Sequence, residues 1–393
     1  MGSRQQTLGF CQLPVGKLIP PAIHNKMKIA FVLIAHYPTD ERVYFQLADT
    51  LKQAGNEVFI ISALADGCDL PRGTQCFDST GLPKNLLIKK LKNYLSNCNP
   101  DRIICDNPIA VLAAERYKRS QKKTRIIYDV TEWYPSKKNL RGLPFYKKAA
   151  KAFLLSCLSW YAGWLIDAFI FGEYDKAKPF RFFFFWKKHI YLSYYSSIDR
   201  IKIYPPKNIR EECRLFYSGP LTIEKGFDKV LDVSIQTAKN HPETKFTLTI
   251  LTGASDYTIS SNLPQNLLIQ KKELLPFNDF CQEIGKYDLF FDLRINDFEN
   301  TRCLPIKLFY YMACGRPMIY TRLKAIHQAV PEMEQLGYLV NPADLNKICE
   351  YISRYLSDEE LYKNHCEAAR KSALEKYNWD NIKNRFIQLI SGL

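Results

Sequence analysis

The chain has 393 residues, of which 47% are hydrophobic and 24% charged, and its formal net charge is +15. This balance excludes a disordered or collagen-like chain, and the length allows two domains of ordinary size. Twelve cysteines are scattered without a C-x-x-C pair, which argues against a disulfide scaffold and a structural zinc site and makes a reducing cytoplasm the simplest compartment.

In chain order, residues 1–26 are punctuated by Pro and Gly and carry no signal-peptide pattern, so they read as an N-terminal extension. Strands are expected over Lys28–Ile34, Glu57–Ser62, Arg102–Cys105, Arg125–Asp129 and Ala168–Phe171. Amphipathic helices are expected between them, over Glu41–Gln53 and Leu86–Ser96 among others. Continuous apolar strands alternating with helices predict a doubly wound parallel sheet.

Ala152–Ile166 is apolar and uncharged, with Trp160, Tyr161 and Trp164. It is shorter than the roughly 20 residues a bilayer crossing needs. The reading preferred for it is a buried helix, with a helix lying on a membrane as the alternative. Positive charge gathers at Lys89–Lys92, Lys118–Lys123, Lys147–Lys151 and Arg181–Lys188, the last two beside aromatics. That pattern suits an anionic membrane surface, on the cytoplasmic side, better than nucleic acid, for which no zinc-finger or RNA-recognition signature is present.

Ser196–Arg214, centred on Tyr204-Pro205-Pro206, reads as an interdomain linker. A second alternation follows, with strands expected over Leu215–Tyr217, Phe246–Leu251, Leu267–Gln270, Leu289–Leu293 and Met318–Tyr320. The division is then 27–205 for the first domain and 206–378 for the second, with a final helix from about 379. Between the last two strands, Leu304-Pro305-Ile306-Lys307 opens a helix that stops at Gly315. Pro suits a first helical turn and Gly the residue past the last. Free N–H groups at such a start attract anions, and Lys307 adds a charge, so this is a candidate diphosphate cradle.

Several of these segments resemble one family in the same order. Met27–Leu33 is similar to its first strand, and Asp40-Glu41-Arg42-Val43 leads a helix ending at Ala54-Gly55-Asn56-Glu57-Val58, similar to its L…G-H-E-V turn. Ser218-Gly219-Pro220-Leu221-Thr222-Ile223-Glu224-Lys225-Gly226 resembles its G-x-L-x-x-E-K-G signature. Leu304–Ile319 looks like its sugar-nucleotide segment, and Asn378-Trp379 resembles its Y-x-W segment. The family is the group 1, or family-4, class of retaining GT-B glycosyltransferases, and the resemblance runs from about Met27 to the end.

The resemblance implies an α/β chain of GT-B type: two Rossmann-like, doubly wound parallel-sheet domains facing a central cleft, with the final helix, about 379–393, crossing back onto the first. It implies transfer of a sugar from a nucleotide-sugar donor to a glycan or lipid-linked acceptor in cell-surface polysaccharide or glycolipid assembly, without a metal or other cofactor. Lys225 matches the lysine that neutralises the diphosphate, while Pro220 stands where the family has an arginine. Arg302 and Tyr310 stand where it has two glutamates, with Glu299 and Asp297 as nearby acids. Thr131 replaces a histidine that touches the donor sugar, and Glu132 is kept. Gly219, Gly253, Leu304, Pro305 and Lys307 are further donor-side candidates; His36 and Asp106 are acceptor-side candidates at strand ends. The departures leave two other readings: an inactive binding or scaffold subunit, and a sugar-nucleotide epimerase of the same architecture.

Overall fold

A computed structural model describes residues 26–65, 72–132, 134–253 and 262–393. The expected N-terminal extension lies outside these residues except for Lys26. The first sheet contains β1 (Lys28–Leu33), β2 (Glu57–Ser62), β3 (Thr74–Cys76), β4 (Arg102–Cys105), β5 (Arg125–Val130), β6 (Ala168–Phe171) and β7 (Lys188–Tyr191), in the order 3-2-1-4-5-6-7. The second contains β8 (Glu212–Ser218), β9 (Lys245–Leu251), β10 (Leu267–Lys272), β11 (Leu289–Asp292), β12 (Met318–Thr321) and β13 (Gly337–Val340), in the order 10-9-8-11-12-13. All pairings are parallel.

The sheet interiors follow from their residue types. Ile29 to Leu33 and Leu289 to Asp292 are buried without interruption, because helices cover both faces of a parallel sheet. Each sheet lies between two apolar clusters. The C-terminal segment joins the first of these domains: Trp379, Ile382, Phe386 and Ile390 pack with Ile29, Phe31 and Leu47. Trp379 Nε1 also donates to Thr50 Oγ1 at 2.8 Å.

In both sheets the strand order reverses direction at one place, between β1 and β4 and between β8 and β11. The crevice beyond the C-terminal strand ends at such a reversal is where ligands bind in open α/β sheets.

Two expectations need correction. The apolar stretch after Ala152 is not a buried helix. The helix runs from Phe145 to Leu165 and buries only Leu155, Ser159, Ala162 and Gly163. Phe153 is 69% exposed and Trp164 62%. Apolar residues run around much of the helix, but its neighbours, the helix Pro108–Lys118 and the rings of Phe180, Phe183 and Phe184, cover only part of it.

The helix expected to open on Pro305 begins instead at Lys307 and ends at Ala313. Pro305 lies in the preceding turn, where its carbonyl accepts from Leu308 N–H at 3.2 Å. Gly315, at φ +64°, closes the other end, as only a residue free of Cβ strain does readily.

Candidate functional site

The first wall of the cleft is built at the ends of β1, β4, β5 and β6. Asp106, directly after β4, accepts from the Ile34 and Ala35 N–H groups, both at 2.9 Å, and pairs with His36 Nδ1 at 2.8 Å. Burial works to lower the His36 pKa. The hydrogen bond and charge of Asp106, with Asp40 and Glu132, outweigh it and push it up to about 9. His36 is therefore a cation at neutral pH. Both Asp106 oxygens are engaged by the β1 exit loop and His36.

Beneath this loop, Arg42 grips Asp129 through two nitrogens at 3.2 and 3.3 Å and donates to the Leu192 carbonyl at 3.1 Å. Glu41, just before it, is pushed up to about 8 by burial and by Asp40, against the pull of Lys307 from the second domain. Past β6, buried Glu173 and Lys176 form an ion pair at 3.3 Å, and Lys176 Nζ donates to the Thr131 carbonyl. The Thr131 hydroxyl is buried and has no hydrogen-bond partner. Glu132 is exposed.

The second wall is cationic. Thr222 caps the turn Ile223–Lys225, and Gly226 then turns the chain at φ +71°. A Cβ on Gly226 would stand 1.9 Å from the Leu293 carbonyl oxygen, so the signature glycine is required by the β11 exit. Lys225 Nζ lies 3.4 Å from Asn300 Oδ1. Lys307 Nζ donates to the Ser218 carbonyl at the end of β8, next to Gly219. Burial lowers the Lys307 pKa to about 8, and the charges of Arg294 and Lys225 push the same way. Arg294 forks onto Asp292 and is held charged by it despite burial. The Tyr310 hydroxyl is buried without a partner, its ring against Phe277 and Phe280.

Several expected donor contacts are engaged elsewhere. Glu299 accepts from the Lys137 N–H of the first domain at 2.6 Å, while Lys137 Nζ reaches Asp297 at 2.8 Å. Glu299 is thus a tie across the cleft. Arg302 lies over the Phe298 ring at 3.9 Å and donates to the Phe298 carbonyl. Leu304 N–H, part of the expected diphosphate cradle, donates to Glu173 at 3.1 Å, and Pro305 has no N–H to offer. Gly253 follows β9, where a Cβ would stand 3.8 Å from Leu274 Cδ1, an ordinary contact, and the loop after it, 254–261, lies outside the described residues.

Sequence reasoning missed Arg294, Glu41, Glu173 and Lys176. The signal was available: each is a charged residue within a few positions of a buried strand's C-terminal end or of the Asp40 turn. A concavity of 340 Å³ between Tyr204, Pro205, Gly315 and Arg370 lies at the far end of the Lys307–Ala313 helix, away from these groups. Among the described residues, no His, Cys, Asp and Glu cluster is arranged to hold a metal ion.

The two-sheet cleft architecture is the GT-B fold. Among solved structures, the chain is similar to sucrose-phosphate synthase from Thermosynechococcus elongatus (TM-score 0.68, 15% identity, 93% of this chain and 98% of that one). It is similar to Anabaena HepE in complex with UDP-glucose (TM-score 0.69, 14% identity, 93% and 100%). It is also similar to WaaG, a glycosyltransferase involved in lipopolysaccharide biosynthesis (TM-score 0.67, 14% identity, 93% and 100%). A curated relative, N-acetyl-alpha-D-glucosaminyl L-malate synthase of Bacillus anthracis, is 33% identical over 75 residues, a match spanning 19% of each chain. No family model matches.

Proposed function

We propose that this chain is a glycosyltransferase that takes a hexosyl group from a nucleotide-sugar donor and passes it to a glycan or lipid-linked acceptor in cell-surface polysaccharide or glycolipid assembly. The observation that carries the reading is the convergence of Lys225, Lys307 and Arg294 beyond β8 and β11, at the strand-order reversal that faces the first domain. The bond from the anomeric carbon to the diphosphate breaks with its electron pair on the leaving oxygen. Lys225 and Lys307 stabilise that charge in a site already organised to receive it. The unpartnered hydroxyls of Thr131 and Tyr310 are the free hydrogen-bonding groups for the donor. His36, charged and held by Asp106, stands on the acceptor side. Retention at the anomeric carbon is supported by the family resemblance. The ten described cysteines are free thiols, which supports a reducing, cytoplasmic setting.

The test is a thermal-shift panel of nucleoside diphosphates and nucleotide sugars, followed by release of nucleoside diphosphate from the best ligand. A ligand at about 100 times its Kd should stabilise by roughly 2.7 kcal/mol. A second reading, a binding or scaffold subunit, is favoured by the ties that Glu173, Glu299 and Leu304 make across the cleft. Stabilisation without turnover selects it, and the absence of both removes the transferase reading.

A further inference from the structure

The helix Phe145–Leu165 and the turn after the helix Tyr174–Phe183 leave an aromatic surface uncovered. Phe145 is 86% exposed, Phe153 69% and Trp164 62%; Phe182 and Phe185 are each 77% exposed and Trp186 52%. The two segments form one patch. Trp164 lies 5.4 Å from Trp186, and Trp160 lies 4.2 Å from Phe183, between ring centroids. Lys187 fixes them together by donating to the Trp164 and Ile166 carbonyls at the end of the first helix.

The charge beside the patch has one sign. From Lys137 to Ile166 the sequence has Lys137, Lys138, Arg141, Lys147, Lys148 and Lys151 and no acidic residue. Lys147, Lys148 and Lys151 are exposed on the first turns of the same helix. Lysine is depleted at protein–protein interfaces, whereas lysine beside exposed aromatics is what a headgroup layer over acyl chains accommodates. No described helix is long and apolar enough to cross a bilayer, so the surface would lie on one.

We propose that this face of the first domain docks on an anionic lipid bilayer, with the aromatic rings entering the headgroup boundary and Lys147, Lys148 and Lys151 against acidic headgroups. The proposal does not depend on the chemistry of the cleft, since vesicle binding and nucleotide-sugar turnover are measured separately.

The test is co-sedimentation of the full chain with phosphatidylcholine vesicles and with vesicles containing phosphatidylglycerol, at low and high salt. Recovery with the anionic vesicles, falling at high salt and absent with the neutral ones, is the expected result. Tryptophan emission should shift to the blue as Trp164 and Trp186 leave water. Lys147→Ala with Lys148→Ala and Lys151→Ala should weaken vesicle binding on the order of a hundredfold. Phe182→Ser with Phe185→Ser should weaken it while leaving the thermal melt unchanged, because both rings are already in water. Equal recovery with both vesicle types, or none with either, overturns the proposal. So does a discrete dimer in sedimentation velocity that the Phe182→Ser, Phe185→Ser variant abolishes, which would assign the patch to a second copy of the chain.

Discussion

The two halves of the molecule share a strand order and differ in what they present to the outside. The outer helices of the second half, Leu345–Ser357 and Glu359–Glu375, are laced with ion pairs such as Lys347–Glu350 at 2.8 Å and Lys363–Glu359 at 2.6 Å. The corresponding layer of the first half bears the helix Phe145–Leu165, which has no acidic residue and shows aromatic rings instead. A doubly wound sheet constrains only the inward faces of its helices. The outward faces answer to whatever surrounds them, and here one half is made for water. The cleft walls divide in a similar way. On the first wall, Asp106 and Asp129 are committed to His36, backbone N–H groups and Arg42. On the second, Lys307 donates to the Ser218 carbonyl, and Lys225 lies 3.4 Å from Asn300 Oδ1 with the Glu224 carboxylate at a looser 3.7 Å.

The harshest way to break this arrangement is at the segment that joins the halves. Trp379 is 4% exposed within the first domain's core but arrives from the second. Trp379→Ala should destabilise the chain by about 3–5 kcal/mol in urea unfolding. A change below about 1 kcal/mol would mean that the crossing segment contributes little to the first domain.

Next comes the charge on the second wall. Lys225→Ala should weaken nucleoside-diphosphate binding by about 1.5–3 kcal/mol in calorimetry while leaving the melt in place. Unchanged affinity removes Lys225 from the site.

The pH dependence sharpens the contrast between the walls. Lys307, held near 8, is protonated below that pH and neutral above it, so diphosphate affinity should fall as the pH rises through about 8. His36 has a raised folded-state pKa. Its stabilisation is complete below 6.5 and is lost as the pH rises through about 9, so His36→Gln should flatten the stability profile over that window. An affinity that stays constant to pH 10 would take Lys307 out of ligand contact.

The smallest effect expected is at Tyr310. Its hydroxyl is buried without a partner, so Tyr310→Phe should leave the free protein as stable or slightly more so. The same variant should lose about 0.5–1.5 kcal/mol of nucleotide binding, one neutral hydrogen bond. Equal affinity for both proteins would show that the ligand does not use this hydroxyl.

The interior of both sheets was legible in the sequence and the edges mostly were not. β1, β2, β4, β5 and β6, and β8, β9, β11 and β12, all appear as apolar runs. β3, β7 and β13 escaped notice, and all three are edge strands. An edge strand has a neighbour on one side only, so Thr74–Cys76 and Lys188–Tyr191 need no continuous apolar run and carry none. Near the cleft, the turn that Gly226 closes was readable from its local signature. Glu299 was not, because its partner is Lys137, 162 positions away on the other domain. The pairing of His36 with Asp106 likewise required knowing that β1 and β4 are neighbours.

The chain passes between the halves twice, and the two passages touch. Ser196 pairs with Asn378 in a short parallel bridge, and Trp379 N–H donates to the Ser196 carbonyl at 3.0 Å. Tyr195 packs against Tyr377 beside them. Two covalent links at one place act as a single hinge pin. They hold the halves together at that point, opposing sliding there and leaving rotation about it as the easier motion. Contacts made far from the pin, such as Lys137 on Asp297 and Lys324 on Asp175, would then be released together as the cleft swings open. Access to the cationic wall is then a matter of how far the halves rotate apart.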